Sequence, residues 1–104
     1  RGHILENVVF LELLRRGYKI WTGTSRNSEV DFVCKTPSGD IEYYQVAWQM
    51  SDEKTLDREF GSLEKINDNY PKYILTTDSF TINRSGVKHL NVFNWLLGGI
   101  ENEQ

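Results

Sequence analysis

The chain has 104 residues with 38% hydrophobic and 12% aromatic content and a formal charge of −3, enough apolar material for one domain with one buried core. That composition excludes a disordered chain, and 8 Gly with 2 Pro exclude a collagen-like or Pro/Gly-rich one. No apolar run approaches the ~18 residues of a membrane span, and a pI near 5.3 gives no overall basic field for nucleic acid.

In chain order, Gly2 to Arg16 reads as a helix that is apolar nearly all round, through Ile4, Leu5, Val8, Val9, Phe10, Leu11, Leu13 and Leu14. Such a helix is expected to be mostly buried against a sheet or other helices. Gly17 stops it just after Arg15 and Arg16, which suit the negative end of the dipole. Three segments rich in β-branched and aromatic residues follow: Tyr18 to Thr24, Glu29 to Lys35 and Ile41 to Trp48. The stretches Thr24-Ser25-Arg26-Asn27-Ser28 and Thr36-Pro37-Ser38-Gly39-Asp40 between them have turn composition, which predicts an antiparallel meander. Cys34 is the only cysteine, so no internal disulfide and no CxxC or Cys/His metal spacing exist, which fits a reducing cytoplasm.

Ser51 or Asp52 caps a second helix running to about Asn67, with Leu56, Phe60, Leu63 and Ile66 on one face. Lys72 to Thr77 is a fourth strand, and Asp78 to Gly86 is a polar loop. Val87 to Leu90 forms a short fifth strand, and Asn91 to Leu97 a last helix closed by Gly98-Gly99. The expectation is a single α/β (α+β) domain over residues 1–98 with a flexible tail at 99–104. Its order, α-β-β-β-α-β-(β)-α, predicts a mixed β-sheet with helices on both faces.

At about 100° per residue, Glu6 projects between Leu13 and Phe10, while Glu12 shares the arc of Arg15 and Arg16 and is expected to be solvated. A carboxylate on a packed face is held by backbone or arginine donors, or faces a cation. Asp31 is the second oddity, because Asp is depleted in strands. Alternation puts Glu29, Asp31 and Val33 on one face and Val30, Phe32 and Cys34 on the other, and places Gln45 and Ala47 together on the next strand.

A helix glutamate, a strand aspartate, a turn and then a (D/E)-x-K position on the following strand resemble the PD-(D/E)xK nuclease-like superfamily, whose restriction-endonuclease-like core is αβββαβ. More narrowly, the chain resembles the C-terminal domain of undefined function that follows the ATPase module in prokaryotic AAA-type ATPases. The likeness rests on Gly2-His3-Ile4-Leu5-Glu6-Asn7, Glu29-Val30-Asp31-Phe32-Val33, Tyr44-Gln45-Val46-Ala47, Thr55 with Arg58-Glu59, and Tyr70-Pro71-Lys72-Tyr73. The chain opens on Arg1 rather than Met, and the expectation is a fragment whose ATP-binding module lies upstream in the same polypeptide. It has no GxxxxGK[ST] loop of its own.

Nucleases of this kind hold Mg²⁺ with two or three carboxylates and place a lysine beside the attacking water. Here Gln45 stands at the second strand carboxylate and Ala47 at the lysine, so the resemblance implies a degenerate site with no catalytic set. Glu6 and Asp31 remain for weak Mg²⁺ binding. Lys35, Lys54 and Arg58 are the candidates for a relocated or compensating positive charge, Arg58 by pairing with Glu6 or Asp31. His3 and His89 are expected to be ordinary polar residues, and Thr55, Arg58 and Glu59 solvated helix groups unless they serve the site.

Three functions compete. The first is a non-catalytic accessory domain of a larger ATPase that contacts DNA or protein. The second is a divergent Mg²⁺-dependent nuclease with a relocated lysine. The third is a homodimerisation or regulatory module without nucleic acid.

Overall fold

The computed structural model describes residues 1–22 and 30–98. Among them the order is α1 (Gly2–Arg15), β1 (Lys19–Thr22), β2 (Phe32–Lys35), β3 (Ile41–Val46), α2 (Glu53–Glu64), β4 (Lys72–Thr76), β5 (Asn83–Arg84), β6 (Val87–Asn91) and α3 (Val92–Leu96). The predicted end of the first strand, the Thr24–Ser28 turn, Glu29 and the tail from Gly99 lie outside the described residues.

One sheet organises the chain, in the spatial order β1-β2-β3-β4-β6-β5. The predicted meander is present: β1, β2 and β3 pair antiparallel in succession. The α2 crossover then makes β4 parallel to β3, and β6 is in turn parallel to β4. The mixed sheet with flanking helices that the element order predicts is therefore the observed architecture. No described helix is long and apolar enough to cross a membrane.

Strand alternation sorts the core into two layers. Tyr44, Val46 and Leu75 pack with α1 and α3 residues such as Val9, Leu13 and Trp95 on one face. Ile74 and Val87 pack with Phe60 and Leu63 of α2 on the other. The Leu56-Phe60-Leu63-Ile66 stripe predicted for α2 is the stripe that turns inward. Its start is capped as expected, with Asp52 accepting the Thr55 N–H at 2.7 Å. At the end of α1, Gly17 adopts φ +82°, and the Gly17 and Tyr18 N–H groups donate back to Leu14 and Leu13. That is a Schellman stop, which needs the left-handed conformation glycine allows.

Four expectations are corrected. Helix α1 is not buried all round: Leu5, Val9 and Leu13 face the sheet, whereas Ile4, Val8, Leu11 and Leu14 are exposed. The sheet covers only one side, and no described element lies over the other. Glu12 is not solvated. Arg15 and Arg16 both donate to it, its side chain is 10% exposed, and those bonds lower its carboxyl to about pKa 2. The supposed polar loop 78–86 contains β5, joined to β6 by Ser85 and Gly86, both at positive φ, in a tight hairpin. His89, expected to be an ordinary polar residue, is fully buried in β6.

Candidate functional site at the carboxyl edge of the parallel strands

The carboxyl ends of β3, β4 and β6 form one edge of the sheet, the place where open α/β sheets gather their ligand sites. The amino end of β2 reaches the same edge because β2 runs antiparallel to β3. Asp31 lies here, at a bend immediately before β2 and not in mid-strand as alternation predicts. The bend reverses the side-chain phase. Val30 packs with Met50 and Phe60 on the α2 face, whereas Phe32 and Cys34 face α1. The predicted grouping of Val30 with Phe32 and Cys34 fails because strand alternation does not carry through a bend.

At this bend the β2–β3 ladder continues through side chains. The last backbone pair is Phe32 with Tyr44. One step on, the Asp31 N–H donates to Gln45 Oε1 at 2.9 Å, and the Val46 N–H donates to Asp31 Oδ2 at 2.8 Å. Gln45 is buried and uses its other end as well, its Nε2 donating to Glu59 Oε1 of α2 at 3.0 Å. A glutamine suits this position because its amide carries both an acceptor and a donor. A carboxylate here could not donate to Glu59.

The site is electrostatically one-sided. Burial raises the Asp31 carboxyl to about pKa 6 against the opposing pull of the Val46 N–H, and the charges of Glu6 and Glu59 push it the same way. Glu6, half-buried in the second turn of α1, is thus close enough to act on Asp31. Glu59, expected to be a solvated helix group unless it serves the site, is buried here. Its signal in the sequence is the α2 face it shares with Phe60 and Leu63.

None of the positive charges proposed for this edge pairs with Glu6 or Asp31. Lys35 is exposed at the far end of β2, opposite Ile41 and four residues from Asp31, about 13 Å along an extended strand. Lys54 is exposed on the first turn of α2. Arg58 is 63% exposed and meets the buried Glu59 at 3.6 Å, not Glu6 or Asp31. A contact of that length to a guanidinium that is itself mostly in solvent contributes little. Arg58→Ala is therefore expected to change stability by less than about 0.5 kcal/mol in urea denaturation; a loss of several kcal/mol would restore it as the buried compensator. Lys72, in the Tyr70-Pro71-Lys72-Tyr73 segment, sits at the opposite end of the sheet. There its Nζ donates to Asp68 Oδ1 and to the Asp68 and Tyr70 carbonyls.

Ala47 lies just beyond β3, where its N–H donates to the Leu75 carbonyl, and it offers the site no functional group. The Mg²⁺ implied by the nuclease-like resemblance meets a poor donor set. Asp31 Oδ2, Gln45 Oε1 and Glu59 Oε1 already accept protein hydrogen bonds. Among the described residues no three His, Cys, Asp or Glu side chains group to hold a metal ion. The residues present do not fit a two- or three-carboxylate magnesium site.

Comparison with known proteins adds one relative. Over 94 residues, 89% of the chain, it is 36% identical to an uncharacterized protein of Haemophilus influenzae, of which the match covers 22%. The chain thus spans about a fifth of the length of that curated relative. No family model matches the chain, and no solved structure does either.

A second buried network occupies the same edge, and neither composition nor spacing pointed to it. His89 Nδ1 accepts the Ile82 N–H at 3.3 Å, so the neutral ring carries its proton on Nε2, 2.7 Å from Thr76 Oγ1. Thr76 in turn donates to Asp78 Oδ2, which also accepts the Met50 N–H at 2.9 Å. Burial lowers the His89 pKa against the opposing pull of Asp78, which keeps the ring neutral. The His89 ring, the Thr76 hydroxyl and Asp78 Oδ2 are spent on bonds within the fold, which makes this network a structural brace. A concavity between the ends of α1 and α3 is lined by Arg15 and Arg16, both also committed to Glu12.

Proposed function

We propose that this chain is a non-catalytic accessory domain of a larger AAA-type ATPase, a nuclease-like fold whose former catalytic edge has become a structural junction. The observation that carries this reading is Gln45. It bridges Asp31 and Glu59 where a nuclease of that kind would present a second metal-binding carboxylate. With Ala47 beside it, neither the charge nor the ammonium group needed to activate water and stabilise a phosphorane is present. The same edge gathers Glu6, Asp31 and Glu59 on a chain of net charge −3, which favours contact with protein over contact with a polyanionic backbone. A buried, free Cys34 is compatible with a cytoplasmic setting.

The competing reading is a divergent nuclease that cleaves despite the missing lysine and second strand carboxylate, with Asp31 as its remaining strand carboxylate. One assay separates the two. Incubated with Mg²⁺ or Mn²⁺, the purified chain is expected to leave supercoiled DNA and structured RNA intact, to the same extent as Asp31→Ala. Metal-dependent cleavage that persists through purification and vanishes in Asp31→Ala would overturn the accessory-domain reading.

A further inference from the structure

Strand β1 is the outermost strand of the sheet, and among the described residues its outer row of backbone N–H and C=O groups meets no partner. Such a row is a template for another extended segment. The side chains along it are sorted by strand alternation. Ile20 packs with the α1 layer, so Lys19 and Trp21 project from the opposite face, where α2 lies over β3, β4 and β6 and leaves β1 open. Trp21 is 53% exposed there, beside its β2 partner Val33.

Two residues along, Lys19 stands directly opposite Lys35, and both are exposed. That register sets the two stems on Cβ atoms about 5 Å apart, and like charges so placed oppose the strand pairing. Neither ammonium forms an ion pair with a described carboxylate. The edge therefore offers an open backbone row, two unneutralised positive charges at one end and an exposed indole two residues on. Its complement is an extended segment with a carboxylate two residues from an aromatic or β-branched side chain. A second copy of β1 would instead bring two more lysines to the same edge. A nucleic-acid strand would leave the backbone row unmatched, and would run toward Asp31, Glu6 and Glu59 at the other end of β2.

We propose that β1 takes up an acidic, extended protein segment as a further antiparallel strand, its carboxylate held by Lys19 and Lys35 and its apolar side chain against Trp21. This names the partner chemistry for the protein contact proposed above. The DNA-cleavage assay does not involve this edge, so the failure of either proposal is seen separately.

A fluorescein-labelled peptide of repeating Thr-Tyr-Val-Glu, titrated with the chain to about 1 mM, tests it. Anisotropy is expected to saturate, and the affinity to weaken as salt is added. Lys19→Glu combined with Lys35→Glu is expected to weaken binding at least about tenfold. That double variant keeps a like-charge pair at exposed positions, so its thermal midpoint should match the parent's. Methylating alternate peptide amides separates strand pairing from charge attraction. The set that faces β1 should abolish binding, and the set that faces solvent should leave it. No binding overturns the proposal, as does an affinity that ignores the lysines or falls equally with either methylated set. An oligothymidylate that binds more tightly than the peptide overturns it too, and makes this face a surface for single-stranded nucleic acid.

Discussion

Replacing Asp78 with alanine is expected to destabilise the fold by about 3 kcal/mol, measured by urea denaturation at neutral pH. The residue is almost fully buried, and its Oδ2 takes two hydrogen bonds, one from the Met50 N–H and one from Thr76 Oγ1. Alanine would leave both donors in the core without an acceptor, which costs ~1–3 kcal/mol for each buried group. The effect should spread, because Thr76 is also the partner of His89, and the His89 ring holds the Ile82 N–H beside β6. Asp78→Asn keeps an oxygen for both donors and should lose only about 1 kcal/mol. An alanine variant as stable as the parent would show that water replaces the carboxylate and that this edge is open. The same network sets an acid limit. His89 binds its proton less readily in the fold than unfolded, so its contribution is complete above its ordinary pKa and declines as pH falls below it.

The regular elements were readable because their signals are local. The α1 stop could be seen in Gly17, the start of α2 in Asp52 and its inward face in Phe60 and Leu63. These follow from capping and from helical periodicity. What escaped was set by partners distant in sequence. Helical spacing gives α1 two apolar sides but does not say that only one meets the sheet. Alternation correctly separates Tyr44 and Val46 from Gln45, yet it fails at Asp31, where a bend reverses Val30 relative to Phe32. The 78–86 segment looked like a polar loop because Asp78, Ser85 and Gly86 are turn residues. One of them is a buried acceptor and the other two close a hairpin. Asp31 and Gln45 could be singled out from the sequence as a pair on adjacent strands, whereas the Glu59 bond to Gln45 depends on how α2 lies across β3.

Asp31→Asn is expected to make the protein more stable at pH 8 and to leave it nearly unchanged at pH 4. The carboxyl is raised from its ordinary 3.8 to about 6, first by burial and then by the charges of Glu6 and Glu59. A raised carboxyl is favourable in its protonated form. Its contribution is therefore complete below pH ~3.8 and is lost as pH rises through about 6, where the fold must hold a charge it repels. The full shift corresponds to ~3 kcal/mol, and because Asp31 is only partly buried, solvent screening reduces the expected gain to about 1–2 kcal/mol. Asparagine keeps an oxygen for the Val46 N–H and removes the charge, so the brace survives while the repulsion disappears. Urea midpoints from pH 4 to pH 8 should fall for the parent relative to Asp31→Asn, with the divergence growing from pH ~3.8 and levelling off above about 6. Glu59→Gln should lower the pH at which it levels off, because it removes one of the two charges that push on Asp31. Parallel curves for parent and Asp31→Asn would mean that the Asp31 charge is compensated in solution.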